Sequence, residues 1–213
     1  MTIDGRSISF VDLRAQRERL EPALSQAIAA VVASGAYIGG PKVLELEEKL
    51  QDFCGARHCV ACANGTDAMT LVLKAWEIGA GDAVFVPAFT FAATAAVVAN
   101  AGATPVFVDV LEDTFTLDPQ SLAAAAVWSR DHGLRAKAVI AVDLFGQPAG
   151  YAGIEAVTGA EGLQILCDAA QSFGATLNGR SVGSMGDATT TSFYPAKPLG
   201  CYGDGGAIFT DDE

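Results

Sequence analysis

The sequence predicts an α/β fold, with a mostly parallel sheet and helices on both of its faces. Short apolar runs alternate along the chain with segments of helical periodicity, which is the pattern of parallel strands joined by helices. Of the 213 residues, 51% are hydrophobic and only 18% are charged, so much of the chain must be buried on both sides. No repeat, low-complexity tract or linker interrupts the alternation, and we therefore expect no internal domain boundary.

Two helices are expected before the first strand. The first begins near Pro22, a good first-turn residue, and runs through Ala33, and the second follows Pro41. Most strands are separated by helical patterns such as residues 68–78 and 121–129. Strands are expected at the apolar runs 59–63, 83–86, 104–108, 138–142, 163–167, 189–193 and 207–210.

Charge and hydropathy narrow the possible partners. The net charge of -12 would repel a nucleic-acid backbone and an anionic membrane, so we expect no nucleic acid and no membrane as partners. Residues 83–108 carry no charge and are long enough to span a bilayer, but Pro87 and Pro105 interrupt them, which favours strand, helix, strand. Residues 1–6 lack the apolar stretch of a signal peptide, and we expect a cytoplasmic protein.

The five cysteines predict no disulfide framework, because their number is odd and no export signal accompanies them. The spacing of Cys54, Cys59 and Cys62 imitates a zinc half-site or part of an iron–sulfur loop. Residues 57–63, however, predict a strand, in which positions three apart point to opposite faces. We therefore expect buried, inert thiols and no metal site, with a metal protein as a remaining alternative.

Strand-to-helix turns are where a ligand site is expected in such a sheet. In ANGTDA, residues 63–68, a glycine and a hydroxyl residue open a helix whose free N–H groups and positive dipole end suit a phosphate. The structural alternative is that Thr66 simply caps the helix. The nucleotide-binding motifs G-x-x-x-x-G-K-[ST] and G-x-G-x-x-G are missing from the sequence.

Two further turns carry ionisable residues. Asp168 ends an apolar strand, where a buried carboxylate needs either a helix to cap or a cationic ligand nitrogen. Lys197 lies between Pro195 and Pro198 in an uncharged stretch, unlike the other four lysines, and is the best candidate for a Schiff-base nucleophile. A phosphate cradle, a carboxylate for a pyridinium nitrogen and a lysine for an aldehyde are together the parts that pyridoxal phosphate (PLP) requires.

Several motifs in the right order resemble the DegT/DnrJ/EryC1/StrS family of nucleotide-sugar aminotransferases, from residue 10 to the last residue. The resemblance implies the large-domain fold of the fold type I PLP-dependent aminotransferases. The matching stretches are SGAYIGGP (34–41), ANGTDA (63–68), PAFTFAAT (87–94), DAAQSFG (168–174), SFYPAK (192–197) and GDGG (203–206).

The resemblance implies that Lys197 is the catalytic residue, bonding to the cofactor aldehyde, and that Asp168 pairs with the pyridinium nitrogen. Some family members carry histidine at the lysine position and act as dehydratases, so the lysine here favours transamination. The implied amino donor is an amino acid, with L-glutamate as the first candidate. The implied acceptor is a nucleotide-linked keto sugar, such as a UDP-3-keto-N-acetylhexosaminuronate, for surface-polysaccharide or related amino-sugar biosynthesis.

The remaining cofactor-binding residues are also implied by the resemblance. Gly65 and Thr66 would bind the phosphate through the helix end, and Ser192 would add its hydroxyl. Phe91 would stack on the ring and Gln171 would contact its 3-hydroxyl side. For Phe91 the residues alone favour packing in the core, since an aromatic side chain in an apolar helix start is usually buried.

The resemblance implies a smaller C-terminal domain beyond the matched stretch, which we expect to be absent from residues 1–213. We therefore expect residues 1–213 to form a single PLP-binding large domain with an N-terminal helical arm, and the full-length form to be a homodimer. An alternative from another class is a truncated, non-catalytic PLP-binding, ligand-binding or regulatory protein on the same fold. Lys197 together with Asp168 argues against it, because binding alone needs no Schiff-base lysine.

Overall fold

The computed structural model describes residues 2–3, 6–7 and 9–213, and the chain divides into two compact units between Leu46 and Glu47. In the first unit, Asp12 caps a helix by accepting from Ala15 N at 3.0 Å, and Gly35 ends the next helix in the left-handed conformation. Its elements are the antiparallel pair β1 (Thr2–Ile3) and β2 (Arg6–Ser7), then α1 (Leu13–Leu20), α2 (Ala23–Ser34) and the start of α3 (Pro41–Cys54).

The second unit alternates strands and helices as the sequence predicts. Short 3-10 turns occur at Leu144–Gly146 and Val182–Ser184. After α3 its elements are β3 (His58–Cys62), α4 (Gly65–Ala75), β4 (Asp82–Pro87), α5 (Ala93–Asn100), β5 (Thr104–Val108), α6 (Pro119–Asp131), β6 (Arg135–Val142), α7 (Tyr151–Glu161), β7 (Gln164–Asp168), β8 (Thr176–Leu177), β9 (Arg180–Ser181), β10 (Ala188–Ser192) and β11 (Gly206–Thr210).

Seven strands form one sheet in the order β3-β11-β10-β7-β6-β4-β5. The pairs from β10 through to β5 are parallel, whereas β11 runs antiparallel to both of its neighbours. The carboxyl ends of β3, β4, β5, β6, β7 and β10 therefore lie at one edge of the sheet, and β11 begins there. Residues 83–108 form strand, helix, strand as predicted, and no helix in the described part of the chain is long and apolar enough to cross a membrane.

Both faces of the sheet are covered by helices, which confirms the predicted fold class. On one face, Val84, Ile140 and Leu166 pack with side chains of α4 and α5. On the other face, the alternate positions Phe85 and Val139 pack with side chains of α6 and α7. Because successive strand residues point to opposite faces, near-continuous apolar runs such as that of β4 are what burial on both sides requires.

The helices differ from the prediction in some of their bounds and in one additional helix. Helix α4 begins at Gly65 rather than at residue 68, because the Asn64 side chain caps it by accepting from Asp67 N at 2.8 Å. Helix α1 was not expected, since none of its residues is buried and it lacks an apolar stripe. Helix α7, between β6 and β7, agrees with the expectation that helical segments separate most strands, although its bounds were not predicted.

Candidate active site

A cavity of about 510 Å³ opens at the sheet edge where the parallel strands end. Its walls come from the turns after β3, β4, β7 and β10 and from the segment that leads into β11. The structure brings all the predicted site residues together in this one cavity, namely Gly65, Thr66, Phe91, Asp168, Gln171, Ser192 and Lys197. The topology explains the convergence, since parallel strands deliver their carboxyl ends to a common edge.

The start of α4 forms one end of the cavity. The backbone N–H groups of Asp67 and Ala68 already have acceptors at Asn64. The Asn64 side chain accepts from Asp67 N, and the Asn64 carbonyl accepts from Ala68 N at 3.0 Å. The N–H groups of Gly65 and Thr66 come before these and have no intrahelical acceptor. They point out of the positive end of the helix dipole, which is a suitable position for an anion.

Two glycines allow the backbone segments around this helix start to approach closely. A Cβ atom at Gly65 would lie 2.8 Å from the Ser192 Cβ, and one at Gly206 would lie 2.9 Å from the Gly65 nitrogen. Real side chains essentially never pack so tightly, so both positions require glycine. The end of β10, the start of β11 and the start of α4 thereby form a narrow cradle.

Asp168 is the buried carboxylate of the cavity. It is 7% exposed, and its Oδ1 accepts from Ala170 N at 3.0 Å. Burial, together with the nearby Asp143 carboxylate, raises the pKa of this carboxyl to about 6, although the Ala170 N–H and the Lys197 ammonium act in the opposite direction. Asp168 does not cap a helix, because a series of turns follows it in the structure. A cationic ligand atom in the cavity would stabilise its charged form.

Lys197 is half-buried in the loop between β10 and β11 and lines the same cavity as Asp168. Its backbone N–H donates to the Tyr194 carbonyl at 2.8 Å, which closes a turn inside the proline-flanked segment. This hydrogen bond constrains the backbone at Lys197, whereas the lysine side chain is long and flexible. Its amine can therefore reach the cavity while the backbone stays in place.

Phe91 and Gln171 occupy other parts of the cavity wall. Phe91 is 68% exposed, which rules out the core-packing alternative for this side chain. The Gln171 Oε1 accepts from Phe145 N at 2.9 Å, so its Nε2 remains as a donor for a ligand. An open aromatic face and an oriented amide are both suited to a flat, polar-edged ring.

Two residues at or beside the cavity, Asn64 and Asp143, were not predicted from the sequence. Asn64 is the cap of α4, a role considered only for Thr66. Asp143 directly follows β6 and is fully buried near Asp168. Both are polar residues at the end of an apolar strand, and this is the signal that identifies Asp168.

None of the five cysteines lines this cavity. Cys54 and Cys59 are buried, which raises their thiol pKa to about 11 and about 12. Cys167 is buried beneath the sheet edge, and burial raises its pKa as well. Within residues 2–3, 6–7 and 9–213, no group of three histidine, cysteine or acidic side chains is placed to hold a metal ion.

Comparison with known proteins gives concordant matches. The family model of the DegT/DnrJ/EryC1/StrS aminotransferases matches residues 18–213. The chain is 48% identical over 206 residues to the UDP-2-acetamido-2-deoxy-3-oxo-D-glucuronate aminotransferase of Pseudomonas aeruginosa, covering 97% of this chain and 56% of that protein. The chain thus spans little more than half the length of this relative.

Solved structures agree with the sequence matches. A DegT/DnrJ/EryC1/StrS aminotransferase from Brucella abortus superposes with a TM-score of 0.95 and 53% identity, over 97% of this chain and 56% of that one. The PLP form of a protein from Streptococcus pneumoniae described as a sugar aminotransferase gives a TM-score of 0.78 and 29% identity, over 87% of this chain and 50% of that one. The chain therefore belongs to the DegT/DnrJ/EryC1/StrS aminotransferase family.

Proposed function

We propose that this chain carries the PLP-binding site of a nucleotide-sugar aminotransferase. The observation that carries the proposal is the convergence of Lys197, Asp168 and the α4 cradle in a single cavity. Each of these parts has a common structural explanation when taken alone. Their combination matches the aldehyde, the pyridine nitrogen and the phosphate of one cofactor.

The residues of the cavity fit the cofactor. The N–H groups of Gly65 and Thr66 and the hydroxyl of Ser192 would hold the phosphate in the cradle that Gly206 keeps open. Asp168 would hold the ring nitrogen in its protonated form through its buried carboxylate. Across the ring, Phe91 would stack on the face and the Gln171 Nε2 would donate to the 3-oxygen.

Lys197 has two roles in this proposal. Its Nζ would hold the aldehyde of the cofactor, and the same amine would take up the proton that leaves the donor α-carbon. When bound, pyridoxal phosphate supplies an electron sink that stabilises the carbon losing this proton. Asp168 would maintain this stabilisation by keeping the ring nitrogen protonated.

The substrate class is proposed by analogy with the relatives. The Pseudomonas protein is named for a UDP-linked 3-oxo sugar acid. For this chain we propose an amino acid, in particular L-glutamate, as the amino donor and a nucleotide-linked keto sugar as the acceptor. The reaction would belong to amino-sugar or surface-polysaccharide biosynthesis. The active form is proposed to be a homodimer located in the cytoplasm.

The visible spectrum of the purified protein tests the proposal. Adding pyridoxal phosphate should produce an absorption band that bleaches on addition of L-glutamate. The band should be lost in Lys197→Ala and kept in Lys137→Ala, a matched variant of an exposed lysine in β6. A band that forms but does not respond to any amino acid would support the non-catalytic alternative, and a band that survives in Lys197→Ala would contradict the assignment of the lysine.

A further inference from the structure

Two neighbouring turns at the cavity edge are tied together by three hydrogen bonds. The turn after β6 spans residues 143–147, and the turn after β7, counted from the last strand residue Asp168, spans residues 168–172. Asp143 N donates to the Asp168 carbonyl at 3.1 Å, the Ser172 hydroxyl donates to Asp143 Oδ2 at 2.8 Å, and Phe145 N donates to Gln171 Oε1 at 2.9 Å. The second turn is thus held at its first, fourth and fifth residues.

Asp143 is the centre of this connection. Its side chain is fully buried, and Oδ1 accepts from Ala149 N at 2.8 Å and from the Tyr151 hydroxyl at 2.7 Å. Together with Ser172, these donors satisfy both carboxylate oxygens. Because a buried carboxylate needs such partners, the side chain is confined to one orientation. The residue is thereby fixed to the start of α7 on one side and to the turn after β7 on the other.

The backbone of the first turn is also constrained. Phe145 adopts a φ of 58°, the left-handed region that an aromatic residue seldom occupies unless its surroundings impose it. Gly146 follows with a φ of 88°, and a Cβ atom there would lie 3.3 Å from the Gln171 carbonyl oxygen. This conformation places the Phe145 N–H against the Gln171 side chain.

The connection determines which atoms of the second turn are free for a ligand. Ala170 N donates a hydrogen bond to Asp168 Oδ1, and Phe145 N donates one to Gln171 Oε1. This leaves Asp168 Oδ2 and Gln171 Nε2 for the cavity that both residues line. One is an acceptor and the other a donor, and their separation depends on the conformation of the turn that carries them.

We propose that Asp143 is a positioning residue. It holds the turn after β7 in the conformation in which the Asp168 carboxylate and the Gln171 amide contact the cofactor at the same time. The inference rests on the proposed function, since it concerns the geometry of the same site. Asp143 does not itself line the cavity, so it acts only through the residues it holds.

The simplest competing explanation is that Asp143 only stabilises the fold, and the chain offers a matched control for it. Asp82 is also a buried carboxylate, 2% exposed, and it accepts from Gly79 N at 2.9 Å and from Arg135 Nε at 2.8 Å. It lies at the amino end of β4, at the opposite edge of the sheet from the cavity. Loss of Asp82 therefore measures what removal of a buried, bonded carboxylate does to stability alone.

The experiment measures the melting temperature of the cofactor-free protein, its dissociation constant for pyridoxal phosphate and the absorption maximum of the bound form. The variants are Asp143→Ala, Asp143→Asn, Ser172→Ala and Asp82→Ala. Asparagine keeps a carbonyl for Ala149 and Tyr151, and its amide can donate to the Ser172 hydroxyl, which then reverses its role. It therefore preserves the connection while removing the charge.

We expect Asp143→Ala to weaken pyridoxal phosphate binding about tenfold or more and to shift the absorption maximum, as misplacing a charge-assisted hydrogen bond would. Ser172→Ala should weaken binding by about threefold to tenfold on the same reasoning, and Asp143→Asn should stay within about threefold of the unsubstituted protein. Asp82→Ala should lower the melting temperature and leave both cofactor readouts unchanged.

Wild-type affinity and absorption in both Asp143→Ala and Ser172→Ala would overturn the inference and leave the proposed function standing. So would an equal loss of affinity in Asp82→Ala, because the effect would then follow stability. If Asp143→Ala does not fold, Ser172→Ala decides by itself, since it removes one hydroxyl from the connection. Failure of the unsubstituted protein to bind pyridoxal phosphate would contradict the proposed function, and this inference with it.

Discussion

The Asp168 carboxylate and the Lys197 ammonium face one cavity, where the ammonium opposes the rise in the Asp168 pKa that burial causes. The two residues reach it from different segments, the end of β7 and the loop between β10 and β11. Without a ligand, the positive charge of the lysine partly offsets the free-energy cost of burying the ionised Asp168 carboxylate. A cationic ring nitrogen placed against Asp168 would take over that role.

The first prediction concerns the pH dependence of stability in the cofactor-free protein. The pKa of Asp168 is raised to about 6 by burial, so the folded protein holds a proton that the unfolded chain releases near pH 4. The stability from this proton is fully present below about pH 4, and it is lost as the pH rises through about 6. Asp168→Asn should therefore stabilise the protein by about 1 to 3 kcal/mol at pH 8 and have little effect at pH 4.

Thermal denaturation at the two pH values checks this prediction. The same variant should bind pyridoxal phosphate poorly, because an amide cannot hold a protonated ring nitrogen as a carboxylate does. Equal melting-temperature differences at pH 4 and pH 8 would contradict the raised pKa.

The second prediction concerns the close approach at the start of α4. Gly65→Ala places a Cβ atom 2.8 Å from the Ser192 Cβ, so we expect a loss of about 1 to 3 kcal/mol in the free energy of unfolding, together with weaker pyridoxal phosphate binding. The control is Gly159→Ala in α7, where an added Cβ meets nothing within 4 Å. That substitution should stabilise the protein by about 0.5 to 1 kcal/mol. Urea denaturation of both variants would show whether the two signs differ.

The third prediction concerns the cap of α4. Asn64→Ala removes the acceptor for Asp67 N and should cost about 1 kcal/mol of stability, whereas Asn64→Ser keeps a capping oxygen and should recover most of it. Binding of pyridoxal phosphate should weaken in parallel, since a frayed first turn no longer fixes the N–H groups of Gly65 and Thr66. Equal stability of the alanine and serine variants would refute the capping role.

The fourth prediction separates ligand contact from packing at Phe91. The side chain is 68% exposed, so Phe91→Ala should change the free energy of unfolding by less than about 0.5 kcal/mol. Its pyridoxal phosphate affinity should nevertheless fall by about fivefold or more, the value of one aromatic contact. Phe107→Ala, at a 60% exposed residue of β5 outside the cavity, is the control. Calorimetric titration showing the same affinity in both variants would exclude ring stacking at Phe91.

Much of this architecture was predictable because the strands of a parallel sheet are buried on both faces and stand out as apolar runs. The β5 run was predicted at its observed bounds, and the β7 run was one residue early at each end. The start of α4 was missed because a side-chain cap at Asn64 fixes it, and not the apolar periodicity. The short pair β8 and β9 contains few apolar residues, so periodicity gave no signal for it.

The sequence predicted which residues line the cavity but not how their side chains are oriented. Lys197 and Asp168 stand out because an ionisable group in an apolar stretch is rare. This rarity is why they were predicted as the Schiff-base lysine and as the carboxylate for a cationic nitrogen. The hydrogen bond from Phe145 to Gln171 depends on a left-handed aromatic residue, which nothing in the local sequence indicates. Such tertiary constraints become visible only when the two turns are seen side by side.

Mapping the site of cofactor attachment tests the central claim most directly. The purified protein would be mixed with pyridoxal phosphate, treated with borohydride to fix the cofactor to the amine that holds it, and digested for peptide mass spectrometry. The account predicts one phosphopyridoxyl group per chain, on Lys197. Modification confined to Lys42, Lys49, Lys74 or Lys137, or spread evenly over the lysines, would contradict it.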